Sequence, residues 1–457
     1  MMTLDTEVLV IGGGPAGAAC ALALSRLRRS VILCEEVSFP RDHIGICLSP
    51  GLFKQLEFLG VPHVLEHPAH RHGLTFERRW GAIDSALAPS EVLVADRGRF
   101  DSDMLATVAG SSARVLQPAR VAKVTRFAGG CVANVATAAG MRQVRAAFVV
   151  DARGRSSGHR ARRRLGAPTV AVHGTWRGEV RPTVLMSSNG SSWVWAAPTG
   201  TRRSLAVVFT SPDALHRLKG SLEKRYLRLL EEADILERGL ELVSPPHACD
   251  ATPYLTEGGE TGLLRIGDAD AALDPLSSSG VQAAVQSALC AGPVINTLLT
   301  PSADHSAAND YWSSRRIARS ETHKSWAAER YAEAFCFHGT EFWKDRAAAA
   351  SAARPSPVSP TLLPFPDQLL MLSDQVTFVE APCLVDDLVV RERCLFHPNL
   401  DEPIAFVDGL ALRPMIKAFA GKTTAAQVVT LWSSFYTPEK AVELLRWFWR
   451  HQIAVAC

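Results

Sequence analysis

The stretch TEVLVIGGGPAGAACALALSRLRRSVILCEE (residues 6–36) constrains the fold of this chain more than any other. An apolar run ends in glycines, a segment of small residues with helical spacing follows, and a second apolar run ends in acids. That order is strand, tight turn, helix, strand: a βαβ unit. Gly12, Gly14 and Gly17 fit G-x-G-x-x-G across the turn. Glycine at the first position permits the turn, at the second lets a pyrophosphate approach the backbone, and at the third packs helix on strand. The helix N-terminus, with Ala16 in its first turn, then offers unpaired N–H groups and a positive dipole to the phosphates. Glu35 ends the second strand about twenty residues on, the place of a ribose-binding acid. An acid there disfavours a 2′-phosphate and leaves FAD and NAD both open. A purely structural glycine turn is the alternative, and it leaves the surrounding strand, helix and acid unexplained.

At 457 residues the chain is too long for one simple core, so two or three domains are expected. Hydrophobic residues at 47% and charged residues at 21% are those of an ordinary soluble protein. A net charge of +3 gives no nucleic-acid signal, although arginine is dense in GHRARRRLG. The ten cysteines are scattered without a C-x-x-C and read as reduced thiols. The N-terminus lacks a basic, apolar leader, and no apolar run reaches the roughly 20 residues of a membrane span. A cytoplasmic protein without a transmembrane segment is the expectation.

Further along, ARVLQPARVAKVTRF, CVANVAT and RAAFVVDARG alternate like strands. TVLMSSNGSSWVWAAPTGTRRSLAVVF reads as antiparallel strands around a glycine turn. GLLRIGDA is a strand, and a long helix starts near Gly280. SAARPSPVSPT is the best linker. Beyond it, TPEKAVELLRWFWRHQ has Thr437 as N-cap and Pro438 at N1. The expected architecture is α/β. A Rossmann-like nucleotide-binding domain takes residues 1–170 and 250–300, and an antiparallel-sheet substrate domain takes 171–249. A helical segment at 301–350, a linker at 351–368 and a small α/β module at 369–457 complete the chain.

Four later motifs, in order, resemble the flavin-dependent monooxygenase and halogenase superfamily. FPRDHIGICLSPG (39–51) is similar to its F-P-R-x-x-I-G-E-S-L-x-P stretch, and DRGRFDSDML (96–105) to R-x-x-F-D-x-x-L-L. VVDARGRSS (149–157) is similar to V-D-A-x-G-x-x-S, and RIGDADAALDPLSSSGV (265–281) to the second flavin fingerprint. The resemblance spans about residues 5–345 and implies FAD in a fold of the glutathione-reductase type. It implies that Arg41 and Arg97 contact the flavin nucleotide and that Asp268 holds the ribityl chain. It also implies that Pro275 walls the ring, and that Ser279, Gly280 and Val281 bring a helix N-terminus under it. Such a helix end stabilises reduced, anionic flavin. Read from the residues alone, Asp268 and Asp274 are equally well N-caps or turn residues.

WVWAAP (193–198) resembles the W-x-W-x-I-P of flavin halogenases and would put Trp193 and Trp195 at a substrate pocket. Their period of two equally fits one face of a strand. Elsewhere the chain departs from the halogenase pattern. Arg71 stands two residues before Gly73, where that pattern has the lysine that relays hypohalous acid, and arginine is not a titratable amine. Ile46 and Cys47 replace the Glu and Ser of G-E-S, and Ser277 replaces the acid of indole halogenases. The resemblance therefore points to oxygen transfer. O2 is the co-substrate, NAD(P)H or reduced flavin is the external reductant, and a flavin C4a-hydroperoxide attacks an electron-rich ring such as an indole or phenol. His43, Cys47, Arg71 and His72 are candidates for the group that polarises the ring, each also readable as an ordinary loop or core residue.

The tail, IKAFAGKTTAAQVVTLWSSFYTPEKAVELLRWFWRHQIAV, resembles small winged-helix-type domains that hold leader peptides by adding a peptide strand to a sheet edge. A dimerisation or packing appendage fits the same helix pattern. A hydroxylase of halogenase lineage with such a tail resembles the flavoproteins that hydroxylate tryptophan in precursors of cysteine tryptophylquinone, those of quinohemoprotein amine dehydrogenase maturation among them. That implies a small protein or peptide substrate and a radical-SAM maturation enzyme as partner. Competing readings are a halogenase or hydroxylase of a small aromatic natural product, a flavin-dependent isoprenoid reductase, and a non-catalytic flavin-stabilised scaffold.

Overall fold

The first strand, Thr3–Ile11, lies parallel between Val31–Cys34 and Gly140–Asp151. Arg114–Leu116 extends the parallel set beyond Val31–Cys34, and Leu263–Arg265 joins it beside Gly140–Asp151. Antiparallel strands Gly130–Thr137 and Ala119–Phe127 complete a seven-stranded sheet. The computed structural model describes residues 3–41, 46–89, 93–159, 161–235, 239–348, 363–419 and 421–457. His43 and most of the expected linker lie outside the described residues.

The βαβ reading holds in detail. The helix Pro15–Arg26 is buried from Pro15 to Leu24, as its unbroken run of small and aliphatic residues requires. Full burial of a side chain such as Leu24 stabilises by about 2 kcal/mol. The helix Gly280–Leu298 packs against it, with Gly292 facing Ala23. The carboxyl ends of four parallel strands, at Ile11, Cys34, Asp151 and Arg265, therefore open on one side of the sheet. Ligands bind at such an edge in open α/β sheets.

A second, eight-stranded sheet has Val170–Arg177, Arg203–Thr210, Ser192–Gly200 and Thr183–Ser188 as antiparallel neighbours. One of its faces carries Trp80, Trp193, Trp195, Val207 and Phe209 into a core shared with Tyr331 and Trp343. The other carries Val172, Val194 and Val208 onto the helix Leu222–Glu232. The domain boundaries differ from the expectation in two places, the first of them in this sheet. Thr75–Trp80 and Ile83–Pro89, expected with the nucleotide domain, belong to this sheet, because Thr75–Trp80 pairs in parallel with Thr183–Ser188. Short-range alternation shows a strand but not its partner.

The chain divides into two compact units, residues 1–299 with 315–350, and 300–314 with 351–457. In the second, Leu369–Leu372 lies between Thr423–Thr424 and Ala454–Ala456, and Thr377–Val385 forms a long hairpin with Leu388–Phe396. The helix Ala425–Trp432 starts with a capping box between Thr424 and Gln427, and Pro438–Arg450 starts at the expected cap, Thr437. Their apolar faces meet around Trp432, Leu444 and Phe448. Residues 300–314, expected with the helical segment, cluster here, and Arg391 pairs with Asp304 and Asp310.

Candidate active site

A cavity of about 740 Å³ lies at the carboxyl ends of the parallel strands. Its walls include Gly12, Gly14, Ala16, Glu35, Arg41, Arg97, Asp268, Gly280 and Val281. Gly12 has a φ of +105°, and a side chain there would meet the Ala152 carbonyl at 2.6 Å. A Cβ on Gly17 would stand 1.8 Å from the Gly12 carbonyl, so Gly17 shapes the loop by close packing and does not line the cavity. No side chain caps the helix Pro15–Arg26, and no acid sits in its first turn. Its first N–H groups are left for an anion. The Glu35 carboxylate accepts from the Gly13 N–H at 2.6 Å and the Val37 N–H at 2.9 Å. Each oxygen keeps a lone pair for a ribose hydroxyl.

Arg41 and Arg97 share one carboxylate. The buried Asp101 accepts from Arg97 Nε and Nη2 at 3.0 and 3.1 Å and from Arg41 Nη2 at 3.0 Å. Two guanidiniums on one carboxylate leave a net positive charge on the cavity wall, suited to a pyrophosphate. Asp101 was not singled out from the sequence, although it is the acid of the F-D pair in DRGRFDSDML. The helix Arg97–Ala109 that carries it is capped by Asp96, which accepts from the Arg99 N–H.

The two acids of the second fingerprint separate cleanly. Asp274 is the turn former: its carboxylate accepts from the Leu276 N–H at 3.0 Å and the Tyr331 hydroxyl at 2.8 Å. Asp268 faces the cavity, with Arg155 Nε 3.7 Å from its carboxylate. Enclosure by the cavity wall raises its pKa, and Arg155, Arg97 and Arg162 oppose the rise. The Tyr254 hydroxyl donates to the Asp268 carbonyl at 2.5 Å and so fixes the backbone there. Pro275 and Ser279, expected against the flavin, are not on this cavity's wall; they form the turn behind Gly280 and Val281. Arg153 and Arg155, within the V-D-A-x-G-x-x-S element, do line it and were missed.

Of the described catalytic candidates, Cys47 and Arg71 each pair with the Val94 backbone. Cys47 is buried, and burial pushes its thiol up to about 12, only partly offset by the neighbouring Trp195 indole. A neutral thiol is no base. The Arg71 backbone forms a bridge with Val94, and His72 is exposed; neither lines a cavity described here. Trp193 and Trp195, expected at a substrate pocket, are buried in the core and lie on the wall of neither cavity named here. Trp193 stacks on Phe209 with 3.9 Å between ring centroids and meets Trp80 edge-on.

A second cavity, about 360 Å³, is lined by Leu273, Asp274, His323, Lys324, Tyr331 and Arg346, among others. His323 Nε2 lies 3.2 Å from the Asp274 carbonyl oxygen and 3.3 Å from Ser277 Oγ. Burial, aided by Arg319, lowers the imidazole pKa to about 4. Tyr331 is raised well above its ordinary value by burial and by Asp274. Nothing in the spacing of the sequence marked His323, which stands on the long helix His305–His338.

The pattern of the FAD binding domain family matches residues 5–324. A tryptophan 2-halogenase of Chondromyces crocatus is 27% identical over 341 residues, 67% of this chain and 64% of that protein. The chain spans just under two thirds of the length of the curated relatives it matches. Among solved structures, the peptidyl tryptophan dihydroxylase QhpG, essential for tryptophylquinone cofactor biogenesis, matches with a TM-score of 0.72 and 25% identity over 98% of this chain and 99% of that one. The flavin-dependent halogenase CmlS matches with a TM-score of 0.76 and 19% identity over 99% and 96%, a likeness of fold. Among the described residues no helix is long and apolar enough to cross a membrane. Glycine cradle, uncapped helix, ribose acid and paired arginines fit FAD, and the chain belongs to the FAD binding domain family, within the flavoenzymes that include flavin-dependent halogenases and monooxygenases.

Proposed function

We propose that this chain is an FAD-dependent monooxygenase that hydroxylates an aromatic ring, with a tryptophan in a small protein or peptide as its substrate class. FAD, when bound and reduced, would supply the activation of O2 for oxygen transfer. The chain's part is to hold and shield. The uncapped N-terminus of Pro15–Arg26, with Arg41 and Arg97, binds the pyrophosphate; Glu35 takes the ribose; Asp268 takes the ribityl hydroxyls. The N-terminus of Gly280–Leu298, which no side chain caps, favours negative charge on the ring.

One observation carries oxygen transfer over halogenation. Arg71, not a lysine, stands two residues before Gly73, where the halogenase pattern has its relay amine. A halogen relay of the family's kind needs a primary amine, and a guanidinium stays protonated. A halogenase reading has Lys324 in its favour, an amine on the smaller cavity, although Glu321 pairs with it at 3.3 Å.

The likeness to QhpG over nearly the whole chain, tail included, supports a peptidyl substrate. So does the hairpin Thr377–Val385 with Leu388–Phe396, which stands as a two-stranded sheet whose residues Thr377–Glu380 are exposed. Such an edge accepts an added strand, and a radical-SAM enzyme that prepares the same substrate belongs to this proposal. The test supplies the FAD-loaded protein with reductant, isotopically heavy O2 and a tryptophan-bearing small protein. The expected result is a mass gain of one labelled oxygen per step. A halide-dependent halogenated product supports the second reading, and turnover without O2 sinks both.

A further inference from the structure

A line of hydrogen-bonding side chains leads from the helix start beside the FAD cavity to the wall of the smaller one. Gly280 and Val281 line the first, and Ser279 precedes them at the helix start. Ser279 Oγ lies 2.6 Å from Ser277 Oγ, and Ser277 Oγ lies 3.3 Å from His323 Nε2, on the wall of the second. Both contacts of the His323 ring use Nε2; among the described residues Nδ1 makes none. Trp326, 39% exposed, stacks on the imidazole with 5.8 Å between centroids and 10° between planes.

We propose that the smaller cavity seats an electron-rich aromatic ring, an indole or phenol, with His323 Nδ1 as its proton acceptor and Ser277 and Ser279 as the path toward the FAD cavity. The inference rests on the hydroxylase reading and gives it a seat and a base. A cavity of about 360 Å³ is in the range that takes a small ring. The groups around the imidazole are Asp274, Arg319, Lys324, Tyr331, Asp345 and Arg346. Asp274 is committed to Leu276 and Tyr331, Lys324 to Glu321, and Arg346 to Pro168 and Thr169. The imidazole, held neutral by burial and by Arg319, keeps an unused acceptor.

The stoichiometry asks for such a group. Each hydroxylation replaces a ring hydrogen by a hydroxyl. O2 supplies that oxygen, the external reductant supplies two electrons and, with solvent, two protons, and the second oxygen leaves as water. The ring hydrogen leaves as a proton while its C–H electron pair returns to the aromatic system. Nδ1 takes that proton, the Nε2 proton passes to Ser277 Oγ as the Ser277 proton passes to Ser279 Oγ, and the proton released toward the FAD cavity joins the departing oxygen as part of the water.

The test titrates indole into the FAD-loaded protein by calorimetry, for the natural chain and for His323→Ala, His323→Gln and Ala167→Phe. The natural chain binds indole, and His323→Ala weakens binding about fivefold or more through loss of the acceptor. His323→Gln, which restores an acceptor, recovers binding but not the rate of oxygenation, and it removes the acidic limb of the rate's pH profile. Ala167, half-buried on the cavity wall, admits a phenylalanine that blocks the seat while FAD content and melting temperature stay unchanged. Absent indole binding, or equal binding in His323→Ala or Ala167→Phe, overturns the inference. His323-dependent binding without O2-dependent oxygenation keeps the seat and overturns the hydroxylase reading instead.

Discussion

Replacing Asp101 by asparagine tests how the cavity holds its positive charge. The carboxylate is fully buried and accepts three hydrogen bonds, two from Arg97 and one from Arg41. Asparagine keeps the shape but removes the charge and turns an amide donor toward guanidinium donors. The Arg41 side chain, 28% exposed, can recover water; that of Arg97, 8% exposed, cannot. Removing one partner of a buried pair costs about 3–5 kcal/mol. With one of the two arginines able to relax, about 3 kcal/mol is expected, at the lower end of that range. A pyrophosphate in the cavity replaces the missing negative charge, so bound FAD offsets part of the loss. Denaturant titration of the apo and FAD-loaded forms reads both effects. Apo Asp101→Asn should be less stable by about 3 kcal/mol, and FAD should stabilise it more than it stabilises the natural chain. An apo loss below about 1 kcal/mol, the scale of an exposed pair, refutes the argument. So does an equal or smaller gain from FAD.

Gly17→Ala sets a methyl carbon 1.8 Å from the Gly12 carbonyl, a backbone obstacle that cannot swing aside. Overpacking of that kind costs about 3 kcal/mol or more, and the variant should purify without flavin, as absorbance will show. Asp268→Asn should raise the FAD dissociation constant about tenfold, the worth of a charge-assisted hydrogen bond; an unchanged constant by flavin fluorescence removes Asp268 from the ribityl role. His323 gives a pH signature. Its folded pKa of about 4 lies below the ordinary 6.5, so the unfolded chain binds the proton first. Stability contributed by the neutral imidazole is full above about pH 6.5 and is lost as pH falls toward 4, by up to about 3 kcal/mol. Melting temperatures of His323→Gln should decline less across that window.

The nucleotide half of the fold was legible because its signals are local. A glycine that must take φ of +105° and one that must let two backbones touch are both read within six residues. The cap Thr437 was legible for the same reason: a side chain bonds a backbone group three positions on. Residues 75–89 were placed with the nucleotide domain because the partner of Thr75–Trp80, Thr183–Ser188, lies a hundred residues downstream. Alternation states which face is buried and is silent on the neighbour.

The same distinction explains which site residues were found. Those on the wall of the larger cavity sit on the loop, strand end or helix start that carries their motif, so motif position sufficed to find Glu35, Arg97 and Asp268. The acid–base chemistry depends on packing between distant segments. Asp274 became a turn former because Tyr331, 57 residues on, donates to it, and His323 meets Ser277 across 46 residues. The tryptophans then have an indirect part. Trp193 packs on Trp80, and Trp80 lies 6.3 Å from the Tyr331 ring, whose hydroxyl fixes the Asp274 turn. The W-x-W strand therefore braces the helix that carries Tyr331 and His323, so its aromatic pattern bears on the site through packing.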